Sequence, residues 1–71
     1  MDFRRISEQW PTRAAFVADA GVPYDRARKW LTRGYIPGEY WLRLTTGARK
    51  RGLGVTVEML AMAAEASKLG A

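Results

Sequence analysis

The sequence predicts a single all-α domain made of five short helices, and three observations lead to this fold class. The chain has 71 residues, which is the size of one small domain. Its β-branched residues never form the alternating run that is typical of strands. Glycine and proline recur at intervals that leave helix-length segments between them. We therefore expect one domain over residues 1–71, with a core that is small for its surface.

The first helix is predicted from about residue 2 to residue 9. Phe3, Ile6 and Trp10 are spaced so that they share one face of a helix. The residue before a proline is disfavoured in the helical conformation, so the Trp10-Pro11 pair is expected to end this helix.

The second and third helices are each bounded by residues suited to helix ends. Thr12 is a good N-cap for the second helix, because its hydroxyl can accept a bond from a free backbone N–H. Gly21 suits the left-handed turn conformation that ends this helix. The third helix is predicted to start around Pro23-Tyr24, since proline is tolerated in a first turn, and to close at Gly34.

The fourth and fifth helices follow a loop over residues 34–38. The fourth is predicted from about 39 to 50, and the Gly-Leu-Gly segment at 52–54 ends it. The fifth is predicted over about 56–68, with Thr56 as its N-cap. The apolar stripe of the fourth helix consists of Tyr40, Trp41, Leu44 and Ala48.

The charge of the chain is positive and unevenly placed. Twelve Lys and Arg against seven Asp and Glu give a net charge of +5. The window from Arg26 to Arg51 holds eight cations and one anion, Glu39, so it carries +7 and the rest of the chain −2. Such asymmetry is typical of a protein that binds a polyanion. The alternative is a solvated surface that keeps a small protein soluble.

The sequence lacks several residue types and segments, and each absence excludes a class of function. The sequence has no cysteine and no histidine, which removes thiolate chemistry and the commonest general base and metal ligand. We therefore expect no enzyme, no cofactor, no metal site and no small-molecule ligand. Neither a membrane-spanning run nor a secretory signal is recognisable, so we expect a cytoplasmic protein that does not bind membranes.

Residues 12–33 predict a helix-turn-helix, because two helices meet there through a short turn that contains Gly21. The positions that this geometry would bury are apolar: Phe16, Ala20, Val22, Ala27 and Trp30.

The chain resembles the phage-repressor-like (XRE-type) helix-turn-helix family, the group that contains Cro and repressor proteins of temperate phages. The resemblance is carried by TRAAFVADAGVP at 12–23, by YDRARKW at 24–30 and by the exit Gly34…Ile36-Pro37. The five-helix order and the Gly54-Val55-Thr56 entry to the last helix are also similar. Three features depart from the family: Val17 replaces the usual alanine, Pro23 replaces the usual serine, and the segment after Pro37 is longer.

The resemblance implies a sequence-specific DNA-binding transcriptional regulator of a bacterium or phage. It implies repression by occupying an operator in double-stranded DNA, with the recognition helix at about 24–33 in the major groove. A protein of this kind would be associated with the nucleoid when bound. The main alternative is a helix-turn-helix protein whose partner is another protein, such as an antitoxin or a phage recombination accessory factor. A module for anionic membrane surfaces is a further alternative, but it would show one long basic and apolar helix.

Helical spacing assigns roles within the recognition helix. Ala27, Trp30 and Leu31 point toward the core, and the opposite face would lie in the groove. The residues expected to read bases are Tyr24, Asp25, Arg28, Lys29 and Thr32. The residues expected to contact phosphates are Thr12, Arg13, Arg26, Arg33, Tyr35 and Lys50. Asp25 either reads a base or stabilises the helix by complementing its dipole or pairing with a neighbouring cation. Tyr35 either packs in its loop or donates to a phosphate.

The fifth helix is expected to form a homodimer interface, because palindromic operators require two-fold dimers and this helix has few charges. The predicted interface residues are Met59, Met62, Ala63 and Ala66. The alternative is that Val57, Leu60 and Ala64 pack on the first and fourth helices, while the methionines fill gaps in the same core.

Overall fold

The computed structural model describes residues 2–69, which form five α-helices and no strand. The all-α prediction is therefore confirmed. Within this range, none of the helices combines the length and the apolar composition that crossing a bilayer requires. The α-helices are α1 (Phe3–Ser7), α2 (Arg13–Ala20), α3 (Tyr24–Arg33), α4 (Trp41–Arg51) and α5 (Val57–Leu69), and a 3₁₀ turn spans Gly38–Tyr40.

Four predicted helix ends are confirmed by the cap geometry. The hydroxyl of Thr12 accepts a hydrogen bond from the backbone N–H of Ala15 at 3.0 Å. Thr56 caps α5 in the same way, through the N–H of Met59 at 3.2 Å. The C-caps of α2 and α3 are Gly21 and Gly34. Their φ values of 71° and 79° lie in the left-handed region that glycine enters without strain.

Two predicted boundaries are wrong, in each case because a tight turn replaces part of the helix. The first helix ends at Ser7 instead of residue 9, since the backbone N–H groups of Gln9 and Trp10 bond to carbonyls three residues earlier. One of these bonds joins the N–H of Trp10 to the carbonyl of Ser7 at 3.3 Å. α4 begins at Trp41, and the segment predicted as its first turn belongs to the 3₁₀ turn.

The core is formed by apolar side chains from all five helices and the loops between them. Trp30 is its largest fully buried side chain, and the ring of Trp10 meets that of Phe16 edge-on at 5.2 Å between centroids. The predicted burial of Ala20 and Ala27 is confirmed, and Val22 is half-buried against the core. The buried apolar residues are Phe3, Ile6, Trp10, Phe16, Ala20, Ala27, Trp30, Leu31, Ile36, Leu44, Ala48, Val55, Leu60, Ala63 and Ala64.

The carboxylate of Asp19 links α2 to two distant parts of the chain. One of its oxygens accepts hydrogen bonds from the indole N–H of Trp10 at 2.6 Å and from Nε of Arg51 at 2.8 Å. The second oxygen accepts from Nη2 of Arg51 at 3.3 Å. The bond from Arg51 holds the pKa of Asp19 below its ordinary value, against the opposing effect of partial burial. This carboxylate therefore joins α2, the C-terminal end of α4 and the segment after α1.

Gly47 of α4 leaves the space that Asp19 occupies. A Cβ at position 47 would overlap the carboxylate group of Asp19 and would lie 2.7 Å from its Cβ. Real Cβ atoms do not come so close to other heavy atoms, so a side chain here would push α2 and α4 apart or expel the carboxylate. α4 thus approaches α2 closely because residue 47 has no side chain.

Replacing Gly47 with alanine is expected to lower the free energy of unfolding by about 1–3 kcal/mol, the usual cost of overpacking a close contact. The measurement is urea denaturation followed by circular dichroism. Gly54→Ala is the matched control, because no heavy atom lies within 4 Å of a Cβ at that position and the two variants restrict the unfolded chain equally. Equal midpoints for the two variants would contradict the close approach at Gly47.

Candidate nucleic-acid interface

The solvent-facing surface of α3 contains every residue that the sequence predicted to read bases. Three side chains of this helix are buried, namely Ala27, Trp30 and Leu31, as predicted. The other seven of its ten residues are exposed. The exposed side chains are Tyr24, Asp25, Arg26, Arg28, Lys29, Thr32 and Arg33. They comprise four cations and one anion, so the exposed face of α3 is strongly positive.

Helical spacing divides this face into a middle and two flanks. Arg28 is on the flank toward α1, where it lines a pocket together with Arg4. Arg26 and Arg33 are on the opposite flank. The residues in the middle, opposite the buried side, are Asp25, Lys29 and Thr32. A face of this width, with cations along both edges, is suited to the major groove, whose walls are rows of phosphates.

Asp25 forms no ion pair within residues 2–69, where the pair between Arg51 and Asp19 is the only one. The alternative in which Asp25 pairs with Arg28 or Lys29 is therefore not realised in this structure. Asp25 does lie in the first turn of α3, where the helix dipole favours a negative charge. Its carboxylate remains exposed and accessible to a ligand.

A pocket of about 290 Å³ lies where α1, the start of α2 and the side of α3 meet. Arg4, Arg13 and Arg28 line it, one from each helix, and we call it the arginine pocket. The guanidinium of Arg4 donates from Nε to the carbonyl of Leu31 at 2.8 Å and from Nη2 to that of Thr32 at 3.3 Å. The remaining residues that line the arginine pocket are Ser7, Glu8, Leu31 and Thr32.

Three of the predicted phosphate contacts lie near α2 and the loop after α3. Arg13 is the first residue of α2 and is exposed. The oxygen of Thr12 caps the same helix, and its O–H hydrogen is left to donate. Tyr35 packs its ring edge-on against Phe3, with centroids 5.3 Å apart. The packing alternative for Tyr35 is therefore correct for its ring, and the side chain stays 38% exposed.

Lys50 does not join the predicted phosphate contacts around α3. It is exposed on α4 and lines a different groove, between α2 and α4, with Arg43 and Leu42 among its neighbours. Of the basic run at 49–51, Arg51 is bound to Asp19. All three side chains of this run are exposed, and within residues 2–69 Arg51 alone of them forms an ion pair.

The predicted dimer residues of α5 do not share one exposed surface. Ala63 is only 2% exposed, so its prediction as an interface residue is wrong: it faces the core, as Leu60 and Ala64 also do. Met59 is half-buried against the same core. Met62 is 65% exposed, and Ala66 is exposed beside a hollow formed with the start of α1 and the end of α3.

The sequence reasoning missed two polar residues, Arg4 at this site and Asp19 at the contact between α2 and α4. Arg4 has an equally basic neighbour, Arg5, and nothing local indicates which of the two reaches α3. Asp19 could have been noticed as the single acid in an otherwise apolar and basic α2. Its partner Arg51 is 32 residues away, and the basic residues beside it were equally plausible partners.

Within residues 2–69, no three carboxylate, histidine or cysteine side chains are arranged to hold a metal ion. Comparisons with protein-family models, curated proteins and solved structures found no match for this chain. Its function is therefore inferred from the positions and charges of its own residues.

Proposed function

We propose that this protein is a sequence-specific DNA-binding regulator that represses transcription by occupying its operator, with α3 in the major groove. The exposed face of α3 supports this proposal most directly. It presents four cations, one carboxylate and two hydroxyls, and none of these side chains forms an ion pair within residues 2–69. A face rich in unpaired donors is suited to a polyanion that also offers hydrogen-bonding base edges.

The connection between α2 and α3 supports the same proposal. Only residues 21–23 separate the two helices, and Gly21 turns the chain in the left-handed conformation. Two short helices joined in this way agree with the predicted resemblance to the phage-repressor-like helix-turn-helix family. In that family the second helix of the motif enters the major groove.

The middle of the α3 face has the chemistry for reading bases. Lys29 can donate to guanine O6 and N7, and Asp25 can accept from the amino group of cytosine. Thr32 can donate or accept. Tyr24, at 51% exposure, offers its ring to a thymine methyl group. Arg26 and Arg33 then contact the phosphates along the far wall of the groove.

A dimer is part of the proposal, because residues 2–69 of one chain present a single face of this kind. The chain measures 31 Å along its longest axis, whereas half-sites read by a symmetric dimer are about 34–36 Å apart. Two chains side by side would reach both half-sites, and a single half-site gives little specificity against a genome. Met62, at 65% exposure, is a large apolar side chain of α5 on the surface, and it is the proposed centre of the contact.

A second candidate function is binding to a partner protein, and an apolar groove between α4 and α5 favours it. Leu42 is 71% exposed and Val57 is 46% exposed, and both line this groove of about 320 Å³. Apolar residues on the surface are common singly, but adjacent ones more often mark a contact site. If this were the main function, duplex binding would be weak and independent of sequence.

The first test is the salt dependence of duplex binding. Arg13, Arg26 and Arg33 are the three arginines expected to contact phosphates. At about −0.9 per neutralised phosphate, log K for the duplex is expected to fall with log[salt] with a slope of roughly −3 per bound chain. Fluorescence anisotropy with a duplex selected from a random pool measures this slope. An affinity that hardly changes with salt, or a selection that enriches no sequence, would contradict the proposed function.

The second test separates base reading from charge. Lys29→Ala is expected to cost about 1–3 kcal/mol on the selected duplex and to relax the preference at one base pair. Lys68→Ala removes the same charge from an exposed position of α5 and is expected to leave that preference intact. Identical losses for the two variants on selected and random duplexes would show that α3 does not read bases.

The third test concerns the dimer. Met62→Lys is expected to abolish cooperative binding to a duplex with two half-sites, because a charge would be placed in the apolar contact. Ala61→Lys adds the same charge at another exposed position of α5 and is expected to preserve cooperativity. Sedimentation with and without the duplex gives the mass of each complex. A wild-type chain that binds such a duplex as independent monomers would refute the contact.

A further inference from the structure

The arginine pocket brings together three cations that are far apart in the sequence. Arg4, Arg13 and Arg28 come from three different helices and surround one concavity. The only carboxylate that lines it is Glu8, which forms no ion pair with any of them within residues 2–69. The pocket therefore has a net positive charge that the described part of the chain leaves uncompensated.

Arg4 is held in place before any ligand arrives. Two of its N–H groups bind the carbonyls of Leu31 and Thr32 in the last turn of α3. A guanidinium has five N–H donors, so three are left for a ligand. Because the side chain is already ordered, a ligand that binds it costs less conformational entropy than one that must order a free arginine.

Arg13 and Arg28 are not engaged in the same way. Neither side chain takes part in a hydrogen bond or an ion pair within residues 2–69. Like charges gathered around a concavity repel each other, and an anion placed between them attracts each cation and so offsets this repulsion. Fork-shaped donors on several sides are suited to the oxygens of a phosphate.

The pocket borders the face proposed to enter the major groove. Arg28 and Thr32 line the arginine pocket, and they also line the neighbouring hollow on α3 that Lys29 shares. With α3 in the groove, the flank of α3 that carries Arg28 would face one wall, which consists of backbone phosphates. The anion that could reach the pocket in this arrangement is therefore a phosphate of the DNA backbone.

We propose that the arginine pocket binds a single backbone phosphate of duplex DNA, held by Arg4, Arg13 and Arg28 together. This inference rests on the proposed function and gives Arg28 a role in binding phosphate, in place of the base-reading role expected from the sequence. It also brings α1 into DNA binding, since Arg4 contacts the phosphate while it holds the end of α3.

The experiment compares three variants on the selected duplex and on random duplexes. Arg28→Ala and Arg4→Ala are each expected to lower affinity for both duplexes by roughly tenfold, the loss of about one charge-assisted hydrogen bond. Each is also expected to make the salt slope less negative, by no more than about 0.9, because the three arginines share one phosphate. Arg5→Ala is the control, because Arg5 has the same charge, is exposed on the same helix and does not line the pocket.

A second measurement identifies the phosphate itself. Neutral methylphosphonate groups are introduced one at a time along the duplex, and one position is expected to weaken the wild-type chain and not the Arg28→Ala variant. Arg4→Ala removes the bonds to the end of α3 and can also disturb the fold. Arg28→Ala breaks no bond within the described chain, so it keeps the test valid even if the Arg4 variant unfolds.

The outcomes distinguish the inference from the proposed function. A wild-type chain that binds no duplex overturns both. A wild-type chain that binds, with Arg28→Ala and Arg5→Ala showing the same affinity and salt slope, overturns the pocket alone. So does an Arg28→Ala variant that changes base preference without a uniform loss, or a methylphosphonate scan in which no position is coupled to Arg28.

Discussion

The hydrogen bonds to the carboxylate of Asp19 are the interaction on which the arrangement of the helices depends. α2 has eight residues, too few to be stable as an isolated helix, so its position is set by what it packs against. Asp19 binds Trp10 on one side and Arg51 on the other, and it fills the space above Gly47. Because only three residues join α2 to α3, whatever orients α2 also orients the face of α3.

The parts of this fold that the sequence predicts correctly are those determined by local chemistry. A threonine before a helix caps it whatever the rest of the chain does, and Thr12 and Thr56 both behave in this way. A glycine after a helix takes the left-handed conformation at little cost, as Gly21 and Gly34 do. Helical spacing likewise separates the buried side of α3 from its exposed side. The residues predicted to read bases all lie on the exposed side.

The parts that it does not predict depend on contacts between distant residues. Arg4 reaches a carbonyl 27 residues away, and the identical neighbour Arg5 could have done so on a slightly rotated helix. Apolar residues surround most of α5, so spacing alone does not show which side a neighbour covers, and Ala63, predicted at the dimer interface, lies in the core. In the same way, composition does not show which cations form ion pairs or hydrogen bonds within the fold.

Some cations of this chain have partners within the fold and others do not. This difference explains how a small basic chain can be stable and still present unpaired cations to a polyanion. Arg51 is neutralised by Asp19, and Arg4 is partly occupied by carbonyl groups, so both contribute to the fold. In the described part of the chain the side chains of the cations on α3 have no such partners, and their mutual repulsion opposes folding. A polyanion removes that repulsion, so its binding would stabilise the folded chain by mass action. If the proposed function is correct, the same unpaired charges that weaken the domain alone contribute directly to its affinity for DNA.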